Sequence, residues 1–229
     1  DEHPNGPYWN VWKNFGEVLR LNEFREKYSD PSGPTCFDHL IIDIPGGSNF
    51  IWKDCWAPNP CHDSPLLKSF VRFVLKGLGL SKERHRKPTD PIRITFSSRQ
   101  VKDGGKKVGR KITNEEELEA IIKSLPPLET VDDKKIPVEL VRVEMTNLSF
   151  EKQVELLRNS DIYMGMHGAG MTHVLWLPDE AVVIELHPKG WHQSSMRNLS
   201  KNMGKVYLAW QNMHDKNVID GPALWTKVD

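Results

Sequence analysis

The sequence predicts an α/β fold in which a parallel sheet carries helices on both faces. From residue 90 onward, short β-rich segments alternate with amphipathic segments of helical spacing, and turn residues separate them. This alternation is typical of a parallel sheet, because each crossover helix returns the chain to the same edge. A chain of 229 residues is long enough to bury the core of one large domain, or of a domain and part of another.

Five strand-like segments and four helical segments make up this pattern. We predict strands at 91–98, 138–145, 161–166, 181–187 and 206–210, and helices at 113–125, 150–159, 170–177 and 193–203. The first of these helices begins with a capping box, Thr113-Asn114-Glu115-Glu116, and ends before Pro126 and Pro127.

The residues before the sheet predict the end of a preceding α/β domain. They read as a helix at 9–28, a strand at 37–44 and a helix at 64–78, followed by a linker at 79–91. We therefore expect two units, a partial α/β domain over 1–80 and a Rossmann-like domain over 90–229.

Composition limits the partners and the compartment. Lys and Arg number 31, as do Asp and Glu, so the zero net charge gives no overall field that would attract nucleic acid. No run of about 20 apolar residues is present, so we expect no membrane span and place any membrane anchor outside this sequence. Residues 1–7 contain neither Met nor a signal-like stretch, and we expect a processed or excised piece of a longer chain.

The positive charge is concentrated in one segment. Between Lys82 and Lys111 there are eleven basic and three acidic residues, a net charge of +8 in thirty residues. Such a run is usually a solvated loop, and we expect this for residues 82–87. Residues 99–111 differ, because they follow a predicted strand at the carboxyl edge of the sheet.

The cysteines and histidines do not form a recognisable metal site. Cys55 and Cys61 could close a short disulfide loop, but three buried free thiols that include Cys36 are an equal alternative. No CxxC occurs, and His187 and His192 lack regular ligand spacing, so we expect no bound metal.

Three loops should meet in one crevice, because ligands of open parallel sheets bind beyond the carboxyl ends of the strands. The loop after Met166 holds His167, Gly168, Ala169 and Gly170 at the start of a helix, where small residues let the backbone approach an anion. We call these four residues the 167–170 turn. Its spacing is neither GxGxxG nor a P-loop, which disfavours a nucleotide-cofactor dehydrogenase, and a tight packing turn is the alternative.

The other two loops add charged groups. Arg99 follows its strand directly and Arg110 precedes the capped helix, and two guanidinium groups beside a helix start favour a diphosphate. Surface positions are the alternative for either arginine alone. Glu185, near the end of its strand, could accept two ribose hydroxyls, or could instead form a cap or an ion pair.

Three sequence blocks resemble one known family. They are PIRITFSSRQ, RKITNEEEL and NSDIYMGMHGAGMTHVLWLPDEAVVIELHP, and they are similar to the signature region of glycosyltransferase family 61, in its branch of EGF-domain-specific O-linked N-acetylglucosamine transferases and fungal-type relatives. TCFDHLIIDIPGG and CHDSPLLKSFVRFVLKGLGL are similar to the segment before the linker. The resemblance covers most of the chain from Cys36 to Trp210.

The resemblance implies a GT-B-type enzyme that transfers a sugar from a UDP donor to a protein or glycan hydroxyl with inversion. N-acetylglucosamine is the favoured sugar, xylose is possible, and no metal cofactor is obligatory. Residues 1–80 would be acceptor-side and residues 90–229 would bind the nucleotide sugar. By position, Arg99, Arg110 and the 167–170 turn would hold the donor diphosphate, and Glu185 would face the ribose or uracil end.

The catalytic base is the point at which this sequence departs from the family. An inverting transfer needs a carboxylate or His to take the acceptor proton, and His167 is one candidate. Relatives carry Asn-x-x-His with an acidic residue four positions later, whereas here Lys13 replaces that His and Glu17 holds the acidic place. Glu17 is our second candidate and His3 a weaker one. Lys13 also motivates an alternative, a catalytically inactive relative, and the basic segment motivates another, a polyanion-binding module.

The resemblance implies a location in the lumen of the endoplasmic reticulum or Golgi. Two N-glycosylation sequons in the sequence are compatible with that location. They are Asn147-Leu148-Ser149 and Asn198-Leu199-Ser200. Asn198 lies within a predicted helix, so Asn147 is the better candidate for a glycan.

Overall fold

The computed structural model describes residues 8–29, 33, 36–39, 62–80, 87, 89–99, 109–130, 132–191, 193–219 and 225–228. Its strands are β1 (Ile92–Ser97), β2 (Leu128–Glu129), β3 (Lys135–Ile136), β4 (Val138–Val143), β5 (Ile162–Met166), β6 (Val182–His187), β7 (Val206–Gln211), β8 (Val218–Ile219) and β9 (Trp225–Thr226). Its α-helices are α1 (Trp9–Lys13), α2 (Leu21–Tyr28), α3 (Pro65–Gly77), α4 (Glu115–Lys123), α5 (Phe150–Arg158) and α6 (Ser195–Asn202). Three further segments, Met145–Asn147, Ala169–Trp176 and Asp215–Asn217, are 3-10 helices.

A five-stranded parallel sheet forms the centre of the protein. The strand order is β4-β1-β5-β6-β7, and each neighbouring pair is parallel. These are the five strands predicted from the sequence, with ends that differ by two residues at most. The predicted α/β class with a parallel sheet is therefore confirmed. The two short hairpins, β2-β3 and β8-β9, were not predicted.

Helices cover both faces of the sheet, as predicted. On one face, Ile112 and Ile122 from around α4 pack with Phe96 and Met166. The apolar cluster on the opposite face has more members, and α3, α5, α6 and the 3-10 helix Ala169–Trp176 cover it. Its fully buried side chains include Val74, Val154, Tyr163 and Leu199.

Helix α3 is part of the core of the sheet domain. Val74 and Leu75 are 0% and 2% exposed and belong to the same apolar cluster as Tyr163 of β5. Burying each such aliphatic side chain stabilises the fold by about 1.5–3 kcal/mol. The division between residues 1–80 and 90–229 stays a prediction, but α3 packs with the second unit.

Local caps explain where the helices begin. The Ser64 hydroxyl accepts a hydrogen bond from Leu67 N ahead of α3, and Ser149 does the same for Lys152 N at α5. The predicted capping box does not form at α4. The N-cap residue is Asn114, and its side chain makes no capping hydrogen bond to the helix. Asn114 instead donates to Val228 O at 2.7 Å and accepts from Val228 N at 2.9 Å, which anchors the chain after β9.

The predicted N-terminal helix is two helices. Gly16, at φ 140°, lies between α1 and α2 in a conformation that side chains rarely adopt, so the helical run cannot continue through it. Of the predicted strand at 37–44, residues 37–39 form no strand and the remainder lies outside the described residues. None of the described helices is both long and apolar enough to cross a bilayer.

Burial of His173 makes stability depend on pH. Its ring is 5% exposed, Nε2 lies 2.7 Å from Gln153 Oε1, and burial lowers its pKa from 6.5 to about 4. The unfolded chain therefore binds an extra proton between these values, and stability falls as the pH falls from 6.5 towards 4.

We expect His173→Gln to flatten this dependence. In urea unfolding between pH 7 and 4.5, the free energy of unfolding of the unmodified protein should fall more steeply than that of the variant, by up to about 1.4 kcal/mol per pH unit. Equal slopes for the two proteins would show that His173 does not titrate in this range.

Candidate functional site

The strand order changes direction at β1, and this places a crevice at the carboxyl ends of β1 and β5. After β1 the chain adds β4 on one side, and it then crosses to the other side for β5, β6 and β7. Ligands of open α/β sheets bind at such a switch point, because the connections leave the edge in opposite directions there. Arg99 follows β1 and the 167–170 turn follows β5.

Gly168 brings two guanidinium groups against the backbone. Its φ is 146°, and a Cβ atom at this position would lie 2.4 Å from Arg99 Nη2 and 3.0 Å from Arg110 Nη2. Because real Cβ contacts are longer than this, only glycine lets both arginines reach the turn. The predicted convergence of Arg99, Arg110 and the turn is thus present.

Arg110 is fixed by two contacts. Its Nε donates to His167 O at 2.8 Å, and its guanidinium carbon lies 4.9 Å from the centre of the Trp191 ring. Its outer nitrogens are thereby directed towards Gly168 and Arg99.

The two arginines leave an excess of positive charge in the crevice. Burial lowers the pKa of Arg99, and the like charge of Arg110 lowers it further. Burial also lowers the pKa of Arg110, and the charge of Glu185 opposes that effect. Two partly buried cations that repel each other form a favourable site for a polyvalent anion such as a diphosphate.

A buried carboxylate holds the end of β1. Glu115, the first residue of α4, is 5% exposed and accepts hydrogen bonds from Ser98 Oγ at 2.5 Å and Arg99 N at 3.4 Å. Arg142 of β4 neutralises this carboxylate at 3.1 Å. The backbone from which the Arg99 side chain projects is therefore fixed.

Tyr163 supports the other side of the turn. Its hydroxyl donates to Gly170 O at 2.9 Å, its ring is fully buried, and burial raises its pKa to about 12. It therefore stays a neutral donor to Gly170.

Glu185 is at the centre of a second buried network. The side chain is 0% exposed, its Oε1 lies 2.6 Å from His167 Nδ1, and Tyr207 donates to its Oε2 at 2.6 Å. His187 Nε2 is 3.3 Å from the same Oε2. Burial opposes ionisation, but the hydrogen bonds from these three residues outweigh it and lower the pKa of Glu185 to about 2.

The network changes the roles expected of two residues. Glu185 has no exposed surface with which to meet a ribose, so the expected contact with the ribose or uracil end is not supported by this geometry. The ring of His167 is 1% exposed and its Nε2 lies 2.7 Å from the side-chain amide of Gln193, so both ring nitrogens have a neighbour within hydrogen-bonding distance. His167 meets the crevice through its carbonyl, and the ring is not placed to take a proton from an acceptor.

Among the described residues, one group has the composition and spacing to ligate a metal ion, and it belongs to this network. His167, Glu185 and His187 place one ligand atom each within 4.8 Å of one another. Because His167 and Tyr207 already bond the carboxylate, a cation would have to displace both hydrogen bonds. The expectation of no metal at this edge stays a prediction.

A cavity of about 490 Å³ lies beside the crevice. Its lining residues come from the end of β6, the loop after it, the start of α6, and β7: His187, Trp191, Gln193, Ser194, Arg197, Tyr207, Leu208, Ala209 and Gln211. Trp191 borders both the cavity and Arg110, so the two spaces are adjacent. Among the described residues, no group bonds the buried His187 Nδ1.

Glu17 lies on the N-terminal segment, away from these contacts. It is exposed and pairs with Lys27 Nζ at 2.5 Å. No contact in the described part of the chain joins it to Arg99, Arg110 or the 167–170 turn. His3, His192 and most of the basic residues between 82 and 108 are outside the described residues.

The two sequons differ in accessibility. Asn147 is exposed in the 3-10 turn Met145–Asn147. Asn198 is 1% exposed within α6, and the Oγ of Ser200, 0% exposed, donates to Met196 O. The use of either sequon stays a prediction, and the burial of Asn198 in the folded protein favours Asn147. Cys36 is exposed, which removes it from the alternative of three buried thiols, and Cys55 and Cys61 lie outside the described residues.

Five residues that shape the site are not predicted from the sequence. They are Glu115, Tyr163, Trp191, Gln193 and Tyr207. Strand alternation gives a signal for Tyr207, because parallel pairing places it beside Val183 and therefore on the same face as Glu185. Nothing local distinguishes the buried Glu115 from the exposed Glu116 and Glu117 next to it.

Three known proteins that are similar to this chain carry the same name. The chain is 35% identical over 205 residues to the EGF domain-specific O-linked N-acetylglucosamine transferase of Gallus gallus, and 34% identical over 210 residues to that of Drosophila melanogaster. The protein of that name from Bos taurus is 31% identical over 207 residues. These alignments cover 88%, 90% and 89% of this chain, and 34%, 35% and 35% of the relatives. The chain thus spans about a third of the length of the relatives it matches.

The family assignment rests on a continuous match that includes most of the site. Residues 49–184 match the family described as Glycosyltransferase 61, and they contain Arg99, Arg110 and the 167–170 turn. The chain belongs to the glycosyltransferase 61 family.

Proposed function

We propose that the protein to which this chain belongs is an inverting glycosyltransferase of GT-B type. It transfers N-acetylglucosamine from a UDP-sugar to a hydroxyl of a protein or glycan. The observation that carries this proposal is the close approach of Arg99 and Arg110 to Gly168 at the switch point of the sheet. The sugar follows the named activity of the relatives, whose EGF-domain acceptors are the acceptor class we propose here.

The arginine pair fits the chemistry of the leaving group. In a glycosyl transfer the diphosphate gains negative charge as the bond to the sugar breaks, so fixed cations lower the barrier. Two guanidinium groups can each bind phosphate oxygens bidentately, which supports both binding and charge stabilisation without an obligatory metal. The 3-10 helix Ala169–Trp176 begins beside them, and leading amide groups of a helix also favour an anion.

The cavity beside Trp191 has the properties of a nucleoside subsite. Its volume of about 490 Å³ is of the size that small-molecule sites have. The indole and phenol rings of Trp191 and Tyr207 offer surfaces for a base, and Gln193 and Ser194 offer polar edges. We place the nucleoside end of the donor there, with the diphosphate between Arg99 and Arg110.

We propose that the acceptor base lies on the N-terminal segment. His167 is enclosed, so Glu17 stays our candidate. It is exposed and borders a cavity lined by Leu19, Phe24, Tyr28, Cys36 and Phe37, where we propose that the acceptor is held.

Nucleotide binding and turnover by the full-length protein test this proposal. Isothermal titration calorimetry should show that UDP binds and that GDP binds at least about tenfold more weakly. A panel of UDP-sugars with an EGF-domain acceptor should give transfer of N-acetylglucosamine, and preferential transfer of xylose would correct the sugar.

Two other outcomes correspond to the alternative functions. UDP binding without transfer or donor hydrolysis would indicate the inactive relative that Lys13 motivates. Absence of UDP binding, with a steeply salt-dependent affinity for heparin, would indicate the polyanion-binding module.

The proposed location is the lumen of the secretory pathway, and Asn147 gives a simple test. We expect expression in a secretory host to produce a glycoprotein whose mass falls by one glycan after Asn147→Gln. Asn198→Gln serves as the matched control and should leave the glycan count unchanged. A glycan that is lost with Asn198 rather than Asn147 would contradict the burial of α6.

A further inference from the structure

The Glu185 network joins β7, β6 and the turn after β5 in one path. It starts at the Tyr207 hydroxyl on β7, passes through the Glu185 carboxylate on β6, and reaches His167 after β5 through contacts of 2.6 Å each. The His167 carbonyl then accepts from Arg110 Nε at 2.8 Å. The contacts of this path are 2.6–2.8 Å long and are joined through His167 itself, so the position of Arg110 is coupled to that of Glu185.

A charged network of this kind is costly to bury, and this argues for a role other than stability. Glu185 is 0% exposed and His167 1%, in a position where apolar side chains would pack without a desolvation penalty. Because an ionised carboxylate only accepts, His167 Nδ1 must be the donor in their contact, which fixes the orientation of the ring. Gln193, bonded to Nε2, holds the other side of the ring. The backbone at His167 therefore has one orientation.

We propose that Glu185, held by Tyr207, is a positioning residue for the diphosphate site. It sets the backbone at His167 so that the carbonyl directs Arg110 and the next residue, Gly168, receives both guanidinium groups. Glu185 does not contact the donor. This inference rests on the proposed function, because it takes the diphosphate of a nucleotide as the ligand of Arg99 and Arg110.

The choice of ligand distinguishes a positioning role of Glu185 from a direct contact with the ribose. A positioning role acts on the diphosphate, so Glu185→Gln should weaken binding of inorganic pyrophosphate and of UDP by the same factor, about tenfold. A ribose contact would weaken the binding of UDP alone, because pyrophosphate has no ribose.

Two more variants define the role. Glu185→Asp keeps the charge but shortens the side chain, and should lose affinity as Glu185→Gln does, because one carboxylate can no longer reach both His167 and Tyr207. Tyr207→Phe removes a single donor and should raise both dissociation constants by about threefold, since His187 Nε2, 3.3 Å from Glu185 Oε2, can still donate.

The matched control lies in another buried polar pair of the same sheet. Thr95 and Ser160 are both 0% exposed and their hydroxyl oxygens are 2.6 Å apart, away from the crevice. Thr95→Val removes this bond and should lower thermal stability while leaving both dissociation constants unchanged.

Calorimetry on the full-length protein supplies the decisive numbers, because it reports affinity and the number of active sites separately. The proposal predicts raised dissociation constants with unchanged stoichiometry. It is overturned by reduced stoichiometry at unchanged affinity, which marks a purely structural role, or by an effect on UDP alone. If Glu185→Gln fails to fold, Tyr207→Phe carries the same test. If the unmodified protein binds neither ligand, the proposed function itself fails.

Discussion

Replacing Arg110 with Ala should lower the affinity for UDP about 100-fold and leave the fold intact. The guanidinium group is held by His167 O and by Trp191, so its outer nitrogens need no reorganisation before they bind phosphate. Loss of two charge-assisted hydrogen bonds corresponds to roughly 3 kcal/mol. Calorimetry with UDP measures the affinity, and thermal unfolding shows that the variant is folded.

The same experiment has two matched controls. Arg110→Lys keeps the positive charge but loses the planar fork and the stacking on Trp191, so its affinity should lie between those of the Ala variant and the unmodified protein. Arg93→Ala removes an arginine from β1 that pairs with Glu139 at 3.1 Å, and should leave the UDP affinity unchanged. Equal affinities for Arg110→Ala and the unmodified protein would remove Arg110 from the donor site.

Replacing Gly168 with Ala should disable the site through geometry alone. The φ of 146° disfavours any side chain, and the added methyl group would meet Arg99 Nη2 at 2.4 Å. We expect a loss of stability of about 1–3 kcal/mol from the backbone strain. Because both guanidinium groups must move away, UDP affinity should also fall by about 100-fold, as for Arg110→Ala.

Gly79→Ala separates strain from site geometry. Gly79 also has a positive φ, of 68°, but no atom lies within 4 Å of the position of its Cβ. This variant should lose stability and retain its affinity for UDP. If Gly168→Ala lost stability only, like Gly79→Ala, the approach of the arginines to the turn would not be required for binding.

Local patterns in the sequence were sufficient to predict the sheet and the residues at its carboxyl edge. The strands were recognised from their β-rich composition, and the 167–170 turn from its small residues between a strand and a helix. The position of Arg99 directly after the strand predicted at 91–98 places it at the site. Each of these features depends only on residues that are neighbours in sequence. The observed bounds of the five strands therefore differ little from the predicted ones.

Features that depend on pairing between segments distant in sequence could not be predicted from local patterns. The switch point exists because β4 pairs with β1, and no local signal fixes this order. The role expected of Glu185 changes because Tyr207 approaches it from the neighbouring strand β7 and His167 approaches it from the turn after β5. The burial of Asn198 in α6 likewise could not be read from the sequon itself.

A crystal structure of the full-length protein with bound UDP would show directly whether Arg99 and Arg110 hold the diphosphate. We expect diphosphate oxygens within hydrogen-bonding distance of Arg99 and Arg110 beside Gly168, with the nucleoside against Trp191 and with Glu185 still bonded to His167 and Tyr207. A diphosphate bound elsewhere, with the two guanidinium groups unchanged and not in contact with it, would contradict this assignment of the site.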